Sequence, residues 1–252
     1  MKFASLGSGS RGNAILVNFR STLLMVDCGL SLRATEARLQ MLNCRPADVS
    51  ALLVTHEHSD HIQGVAALAS RYGVPVWMTP GTAMSPAVSR LSNINPLRAD
   101  EPLEIGSIRV LPFPVPHDAR EPTQFSFEAG GRKLGVLTDT GYITPHIRRR
   151  LQGCDAIAVE FNHDVDSLWH GPYPPHVKER IASSLGHLSN DQAARLMAEI
   201  DHQGLQWIAA LHLSGKNNTP ALVRETLNRN VSRQCPLHIA AQDQPTGWIA
   251  ID

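Results

Sequence analysis

The chain has 252 residues, 42% of them hydrophobic and 18% charged, an ordinary composition for a globular protein. Lys plus Arg and Asp plus Glu both number 23, so the net charge of zero excludes a globally basic fold, and any attraction to nucleic acid must be local. The four scattered cysteines form no CxxC pair, which argues against a zinc ribbon or a disulfide framework.

The sequence composition also predicts the cellular compartment and the number of domains. Reduced, scattered thiols fit a cytoplasmic protein. No apolar run approaches the roughly 20 residues that span a bilayer, and Gly7–Ser10 stands where a signal peptide would continue its apolar core. We therefore expect a cytoplasmic protein with no membrane partner. No stretch resembles a linker, so we predict a single domain over residues 1–252.

The first half of the chain is rich in strand signals, which are short apolar runs separated by Gly, Ser and Asn. A helix is predicted at residues 61–72, because Ile62, Val65 and Leu68 recur on one side and Gly73 ends the pattern. Strands are predicted at residues 2–6, 14–18, 23–27, 52–55 and 74–79.

The second half continues with alternating strand and helix signals. Strands are predicted at residues 108–113, 124–128, 133–138, 156–160 and 207–211. Helices are predicted at residues 144–151, 176–184, 189–201 and 220–228. Strands come in runs with helices between and after them, which predicts an α/β (α+β) fold of two mixed sheets packed face to face with helices outside.

Polar residues repeatedly follow the predicted strand ends, so they can converge on one rim of the fold, where layered folds place ligands. The densest group is the segment from Thr55 to His61. His56, His58 and Asp60 alternate, so an extended segment could point all three to one side, whereas His61 points elsewhere. This one loop could serve two metal ions. A chance polar loop and a single structural zinc are the alternatives, although a structural zinc closes with four ligands and this chain offers more.

The segment resembles the His-x-His-x-Asp-His signature of the metallo-β-lactamase superfamily, whose members have a four-layer αββα sandwich with a dinuclear site at one edge. The other motifs of the superfamily occur in the expected order. The resemblance implies His56, His58 and His117 as ligands of one metal ion, Asp60, His61 and His212 as ligands of the other, and Asp139 as the bridge. It also implies that Asp27 supports the site from behind.

The implied cofactor is a pair of divalent ions, zinc or manganese, with iron as a third candidate. Two such ions bring four positive charges, of which Asp60, Asp139 and one bridging hydroxide remove three. The remaining charge attracts an anion, and a two-metal site suits phosphodiester hydrolysis.

Over roughly the whole chain the sequence is similar to the YycJ/WalJ-like branch of this superfamily. The matching segments are residues 5–13, 160–164, 173–174, 178–181, 186–190 and 212–218. Ser167 and Val177 depart from the pattern of the branch, and neither is a proposed ligand. The branch is associated with nuclease activity, particularly cleavage of DNA from the 5′ end, which implies nucleic acid, and DNA above all, as the substrate.

Two residues are candidates for catalysis. Asp60 is expected to orient the attacking hydroxide. By resemblance to RNase Z, His187 is expected to contact the scissile phosphate and protonate the leaving oxygen. The alternative for His187 is a structural position beside the helix cap Ser189. Candidate phosphate or substrate contacts are Ser8, Asn13, Asn162, Lys216 and Asn218.

Three other functions remain open at the sequence level. A small-molecule phosphodiesterase acting on cyclic or short phosphates is the main alternative. Thioester or lactam hydrolysis would need a pocket shaped for an acyl group, and a metal-binding regulator would have no turnover. The short interval from Asp139 to His187 leaves no room for the β-CASP domain of RNA-processing relatives, and that from His117 to Asp139 little for a tRNA-binding arm.

Overall fold

The computed structural model describes residues 1–231 and 235–252 of the chain. In this part of the chain the strands form two sheets of seven. The first sheet contains β1 (Lys2–Gly7), β2 (Ala14–Phe19), β3 (Thr22–Val26), β4 (Ala51–Leu53), β5 (Val76–Met78), β6 (Ile94–Pro96) and β14 (Ile249–Ala250). The second contains β7 (Leu103–Ile105), β8 (Ile108–Pro114), β9 (Thr123–Ala129), β10 (Arg132–Leu137), β11 (Ala156–Glu160), β12 (Trp207–Leu211) and β13 (Leu237–Ile239).

The two sheets share one pattern of strand directions. Their spatial orders are β14-β1-β2-β3-β4-β5-β6 and β13-β12-β11-β10-β9-β8-β7. Each combines antiparallel pairs with a parallel run, which is β3 to β6 in the first sheet and β10 to β13 in the second. Because the carboxyl ends of parallel strands lie at the same edge of a sheet, the loops that follow these runs gather at one rim.

Helices cover the outer faces of both sheets. They are α1 (Leu32–Met41), α2 (Ser59–Ile62), α3 (Val65–Tyr72), α4 (Pro80–Ala83), α5 (Pro145–Leu151), α6 (Val165–His170), α7 (Pro175–Ala182), α8 (Asn190–Ile200) and α9 (Pro220–Asn230). Short 3-10 turns occur at Pro46–Asp48 and Pro86–Val88.

Three apolar clusters separate the layers. The central cluster joins the inner faces of the two sheets, with Phe3 from the first and Phe127 from the second. The second cluster packs Leu39 of α1 and Leu68 of α3 on the first sheet, and the third packs helices such as α8, through Leu196, on the second sheet. The predicted αββα sandwich is therefore confirmed, with burial of apolar surface on both faces of each sheet as its main stabilising contribution.

The predicted helix at residues 61–72 is wrong as a continuous element. The structure has α2 and α3 with Gly64 between them. The amide of Gly64 donates to the carbonyl of Cys28 at 2.7 Å, and a Cβ at Gly64 would lie 2.1 Å from the carbonyl oxygen of Leu30. The close approach of the loop after β3 therefore breaks the helix.

The sequence analysis also did not predict α1, α6 and the short strands β6, β7, β13 and β14. These strands have two or three residues each, too few to show a periodic pattern. Within the described residues, no helix combines the length and apolar character that a bilayer crossing requires.

Candidate metal centre

The candidate centre lies where the parallel strands of both sheets end. Asp27 follows β3, Asp139 and His212 follow β10 and β12, and all three adopt left-handed backbone conformations with φ of 59°, 48° and 54°. Residues other than glycine rarely adopt this region, although Asp and His are among those that tolerate it. Each such residue costs on the order of 1–3 kcal/mol, and strain of this kind is concentrated at functional sites.

The first ligand group contains three imidazoles. Nδ1 of His58 lies 3.1 Å from Nε2 of His56 and 3.2 Å from Nε2 of His117. Together with Asp139, the candidate ligand atoms of this group lie within 4.8 Å of one another. Since one ring nitrogen of a neutral imidazole is an acceptor without a hydrogen, three nitrogens that face each other fit a shared cation. These residues therefore fit a metal ion.

The second ligand group contains a carboxylate and two imidazoles. Oδ2 of Asp60 lies 3.5 Å from Nε2 of His61 and 3.4 Å from Nε2 of His212. These residues and Asp139 form a second set of candidate ligand atoms within 4.8 Å. The expectation that alternation in an extended segment aligns Asp60 with His56 and His58 is wrong, because α2 begins at Ser59 and its helical turn directs Asp60 to this group.

Asp139 contacts both groups: its Oδ2 faces members of each, and its Oδ1 lies 2.7 Å from Nδ1 of His212 in the second group. Its Oδ2 lies 2.8 Å from Nε2 of His61, 3.5 Å from Nε2 of His56 and 3.9 Å from Nε2 of His117. Its Oδ1 accepts a hydrogen bond from the hydroxyl of Thr138 at 2.7 Å. One carboxylate oxygen thus faces both groups, which is the arrangement expected of a bridging ligand.

A second layer of residues orients the ligands. Oδ2 of Asp27 lies 2.7 Å from Nδ1 of His61, and its Oδ1 accepts from the amide of Thr55 at 2.8 Å. The hydroxyl of Thr55 lies 2.9 Å from Nδ1 of His56. Such partners fix the orientation of an imidazole and raise its basicity as a ligand. The expected position of Asp27 behind the site agrees with these contacts.

The electrostatics of the centre follow from burial and opposed charges. Burial disfavours protonation of His61 and His212, but neighbouring carboxylates outweigh it and raise the pKa of both imidazoles well above the usual value. Burial likewise favours the neutral form of Asp139, yet the same two imidazoles hold its pKa well below the usual range. Burial instead lowers the pKa of His56. The buried carboxylate thus stays charged and requires positive charge around it.

Sequence analysis placed Glu160 at a strand end but gave it no role. In the structure it is fully buried, and its Oε1 accepts a hydrogen bond from Nδ1 of His187 at 2.6 Å and lies 3.2 Å from Nδ1 of His212. Burial favours the neutral carboxyl, but its interactions with His187 and His212 prevail and lower its pKa to about 2. The same pairing raises the pKa of His187. The sequence signal that could have identified Glu160 was its position at the end of a buried strand, within the motif at residues 160–164.

Comparison with known proteins identifies the family. A family model described as a β-lactamase superfamily domain matches residues 22–208. An exodeoxyribonuclease YycJ of Bacillus anthracis is 38% identical over 233 residues, covering 91% of this chain and 88% of the relative. The chain belongs to the metallo-β-lactamase superfamily. An exodeoxyribonuclease WalJ of Streptococcus pneumoniae is 34% identical, covering 90% and 86% of the two chains, which confirms the YycJ/WalJ-like branch.

The comparison with solved structures gives the same fold. The metallo-β-lactamase fold protein YhfI of Bacillus subtilis superposes with a TM-score of 0.76, covering 97% of this chain and 98% of that one, at 15% sequence identity. At this identity the similarity concerns the fold alone. The superfamily sandwich is thus retained although most side chains differ.

A pocket of about 360 Å³ opens over the candidate centre of this superfamily member. Asp60, Asp139, His187 and His212 line its floor, so the candidate catalytic residues face the space that a substrate would occupy. His187 lies in the pocket with its Nδ1 engaged by Glu160, so its Nε2 is the nitrogen left for a ligand. The remaining wall residues are Ser10, His58, Ser59, Asn162, Tyr173, Arg180, Ile181 and Ser214.

Two of the predicted substrate contacts touch the candidate ligands and do not line the pocket. The hydroxyl of Ser8 accepts a hydrogen bond from the amide of His212 at 2.8 Å. Nδ2 of Asn13 lies 3.3 Å from Oδ2 of Asp60 and 3.2 Å from Nε2 of His61. Both side chains are buried. Their contacts therefore act on the ligands of the centre.

The other predicted substrate contacts separate into three cases. Asn162 lines the pocket and donates to the carbonyl of His212 at 3.2 Å. Lys216 is exposed outside the pocket wall. Asn218 departs from the prediction, because its amide donates to the carbonyl of Phe161 and exchanges hydrogen bonds with Asn190, so its polar atoms are already satisfied within the fold.

Two of the three consecutive arginines on α5 pair with acidic neighbours. Arg148 forms an ion pair with Glu199, and Arg150 with Asp100. Neither arginine lines the pocket. These two like charges of the sequence are thus ion-paired at the surface of the fold. The arginine in the pocket wall is Arg180.

Proposed function

We propose that this chain is a dinuclear metal-dependent phosphodiester hydrolase that removes nucleotides from the 5′ end of DNA. The observation that carries the proposal is the single oxygen of Asp139 that faces two ligand groups at the floor of a pocket also lined by His187. The names of the Bacillus anthracis and Streptococcus pneumoniae relatives support DNA as the substrate and exonucleolytic cleavage as the reaction. The 5′ polarity rests on the resemblance to their branch.

Seven side chains would hold the two metal ions. We assign His56, His58 and His117 to one, Asp60, His61 and His212 to the other, and Asp139 to both. The imidazoles favour zinc and the two carboxylates suit manganese, with iron as the third candidate. When bound, two divalent ions would lower the pKa of a water molecule, and their positive charge would stabilise the phosphoryl group in the transition state.

The side chains of this chain supply the proton transfers and the orientation. Asp60 faces the pocket, and despite partial burial its hydrogen bonds to His212 and His61 lower the carboxyl pKa far below the usual value. It is therefore available as a charged acceptor that orients the attacking water. His187 is held at Nδ1 by Glu160, so its Nε2 can donate a proton to the leaving oxygen.

The test is a hydrolysis panel with end-labelled single-stranded and duplex DNA, RNA, cyclic phosphates and short phosphodiesters, each with Zn²⁺, Mn²⁺ or Mg²⁺. We expect DNA to be shortened from the 5′ end with at least one of these ions. Preferential hydrolysis of cyclic or short phosphates would instead establish the small-molecule phosphodiesterase. A protein that retains two metal ions yet cleaves no phosphodiester would contradict both and favour a regulator.

A matched pair of variants tests the role of His187. His187→Ala should lower turnover on DNA by roughly 100-fold or more, while the metal content stays at the wild-type value. His176→Ala, at an exposed histidine on α7, is the control. Loss of both metal ions from the His187 variant would show that the residue is structural.

The cytoplasmic location and the single-domain organisation are further parts of this proposal. Cys28, Cys44 and Cys154 form no disulfide among the described residues, which fits a reducing compartment. Fractionation of cells that produce the tagged full chain tests the location. Limited proteolysis tests the organisation, since a single domain over residues 1–252 should yield no stable fragment of half its length.

A further inference from the structure

One wall of the pocket combines an aromatic ring with a guanidinium group. Tyr173 precedes α7, and Arg180 lies on α7 near its end. Both line the same pocket as Asp60, Asp139 and His187. This wall therefore faces the position in which the scissile phosphate is proposed to react.

The ring of Tyr173 is contacted by a lysine that lies outside the pocket. The ammonium of Lys216 lies 5.1 Å from the ring centroid, within the range of a cation–π interaction, and Lys216 does not itself line the pocket. A Cβ at Gly171 would lie 2.5 Å from Oδ1 of Asn217, so the turn before Tyr173 packs closely on the loop that carries Lys216. Lys216 thus lies over the ring from outside the pocket, and Tyr173 itself lines the pocket.

Arg180 is anchored beside the first ligand group. Its Nε donates to Oδ2 of Asp118 at 2.6 Å, and Oδ1 of Asp118 lies 3.4 Å from Nε2 of His117. Over residues 1–231 and 235–252, no hydrogen bond engages the two terminal nitrogens of Arg180. An arginine positioned in this way presents its remaining donors to an anion, and arginine suits phosphate because of its planar set of donors.

We propose that Tyr173 and Arg180 form a nucleotide subsite, in which the ring stacks on the base next to the scissile phosphate and the guanidinium contacts a phosphate oxygen of the same strand. Aromatic stacking combined with cationic contacts is the mode in which proteins bind single-stranded nucleic acid. The base on the ring must be unpaired when the phosphate is cleaved, because a base stacked inside a duplex cannot lie on the ring. This inference rests on the proposed nuclease function and specifies the form of its substrate.

The decisive experiment removes the ring and the base in turn. The metal-loaded full chain and its Tyr173→Ala variant are compared on a short single-stranded oligodeoxyadenylate and on two versions with an abasic residue at the first or second position from the 5′ end. We expect Tyr173→Ala to lower kcat/KM about tenfold on the intact strand. The difference between variant and wild type should disappear on one of the two abasic strands, and Tyr173→Phe should recover most of the lost efficiency.

A second measurement addresses Arg180. Arg180→Ala should reduce the slope of log kcat/KM against log salt concentration by about 0.7, the value for one lost phosphate contact with a single strand. Arg149→Ala, at an exposed arginine outside the pocket, is the control.

Two outcomes would overturn the subsite. One is an equal loss for Tyr173→Ala on intact and abasic strands, which would mean a structural role, and the other is an unchanged salt slope for Arg180→Ala. Either would leave the nuclease function in place, provided that the wild-type chain cleaves the intact strand. A wild-type chain that cleaves no DNA would instead contradict the proposed function itself.

Discussion

Oε1 of Glu160 accepts a hydrogen bond of 2.6 Å from Nδ1 of His187, and this contact joins the end of β11 to the segment that precedes α8. Oε2 of Glu160 accepts from the amides of Thr140 and Leu188 at 3.1 and 3.3 Å. The carboxylate is thus held in place by the backbone on one side and holds the imidazole on the other. The tautomer of His187 is fixed with hydrogen on Nδ1 whenever the ring is neutral.

The first prediction concerns the negative charge of the Glu160 carboxylate. Glu160→Gln should lower the turnover of DNA by roughly 10- to 100-fold, because the backbone amides of Thr140 and Leu188 keep the Gln oxygen and turn its NH2 towards His187. The NH2 disfavours the tautomer with hydrogen on Nδ1, and a neutral amide does not stabilise the protonated ring. Steady-state kinetics should show the loss in kcat with little change in KM. An unchanged kcat would mean that His187 acts without this partner.

The second prediction concerns the shared oxygen. Asp139→Asn removes one negative charge that faces both ligand groups, so we expect the bound metal to fall from two ions per chain to one or fewer. Elemental analysis of the purified variant by mass spectrometry measures this ratio. Asp166→Asn, at an exposed position on α6, is the control and should retain two ions. Full metal content in the Asp139 variant would contradict its bridging role.

The third prediction concerns the packing beneath the second ligand group. A Cβ at Gly29 would lie 1.6 Å from the carbonyl oxygen of Asp60, and the backbone would have to move to admit it. Gly29→Ala should therefore lower the free energy of unfolding by about 2–3 kcal/mol, in the upper part of the range of about 1–3 kcal/mol for overpacking. At Gly215 no atom lies within 4 Å of a new Cβ, so Gly215→Ala should change stability by less than about 0.5 kcal/mol. Urea denaturation compares the two, and equal stabilities would contradict the prediction.

The fourth prediction concerns a buried histidine outside the ligand set. Burial lowers the pKa of His163 to about 4, and among the described residues its Nδ1 has no hydrogen-bond partner. Because the ordinary pKa is about 6.5, the unfolded chain binds this proton more readily, and folding loses stability as the pH falls from about 6.5 towards 4. Between pH 7 and pH 5 the loss from this residue should be about 2 kcal/mol.

The measurement is urea denaturation of the metal-free protein at both pH values. His163→Gln should lose less stability between pH 7 and pH 5 than the wild type does, whereas His176→Gln should follow the wild type. Comparing variants in this way cancels the titration of the other histidines. Parallel curves for the wild type and the His163 variant would contradict burial of a neutral imidazole.

The ligand set was accessible from the sequence because its signal is local and ordered. Residues 56–61 carry four candidate ligands in six positions, and His117, Asp139 and His212 each follow a strand that hydrophobic pattern predicts. The geometry brings these candidates together, while metal binding itself stays a prediction. The sandwich was equally predictable, since long apolar strands alternate with amphipathic helices.

The features that sequence analysis missed depend on partners distant along the chain. Glu160 gains its role from His187, 27 residues later, and the break at Gly64 arises from contact with the loop after β3. Asn218 resembles a site residue in its motif, yet its amide is used by Phe161 and Asn190. Hydrophobic periodicity reports which face of an element is buried and carries no information on such pairwise contacts.

The seven proposed ligands are divided between the two sheets. The segment after β4 in the first sheet provides four, and the loops after β8, β10 and β12 in the second provide three. Neither sheet can complete either ligand group by itself. Each ion would therefore link the two sheets of the sandwich through its ligands. A newly made chain whose sheets had docked out of register would bind metal poorly and remain inert, which would protect the cell's DNA from a misassembled nuclease.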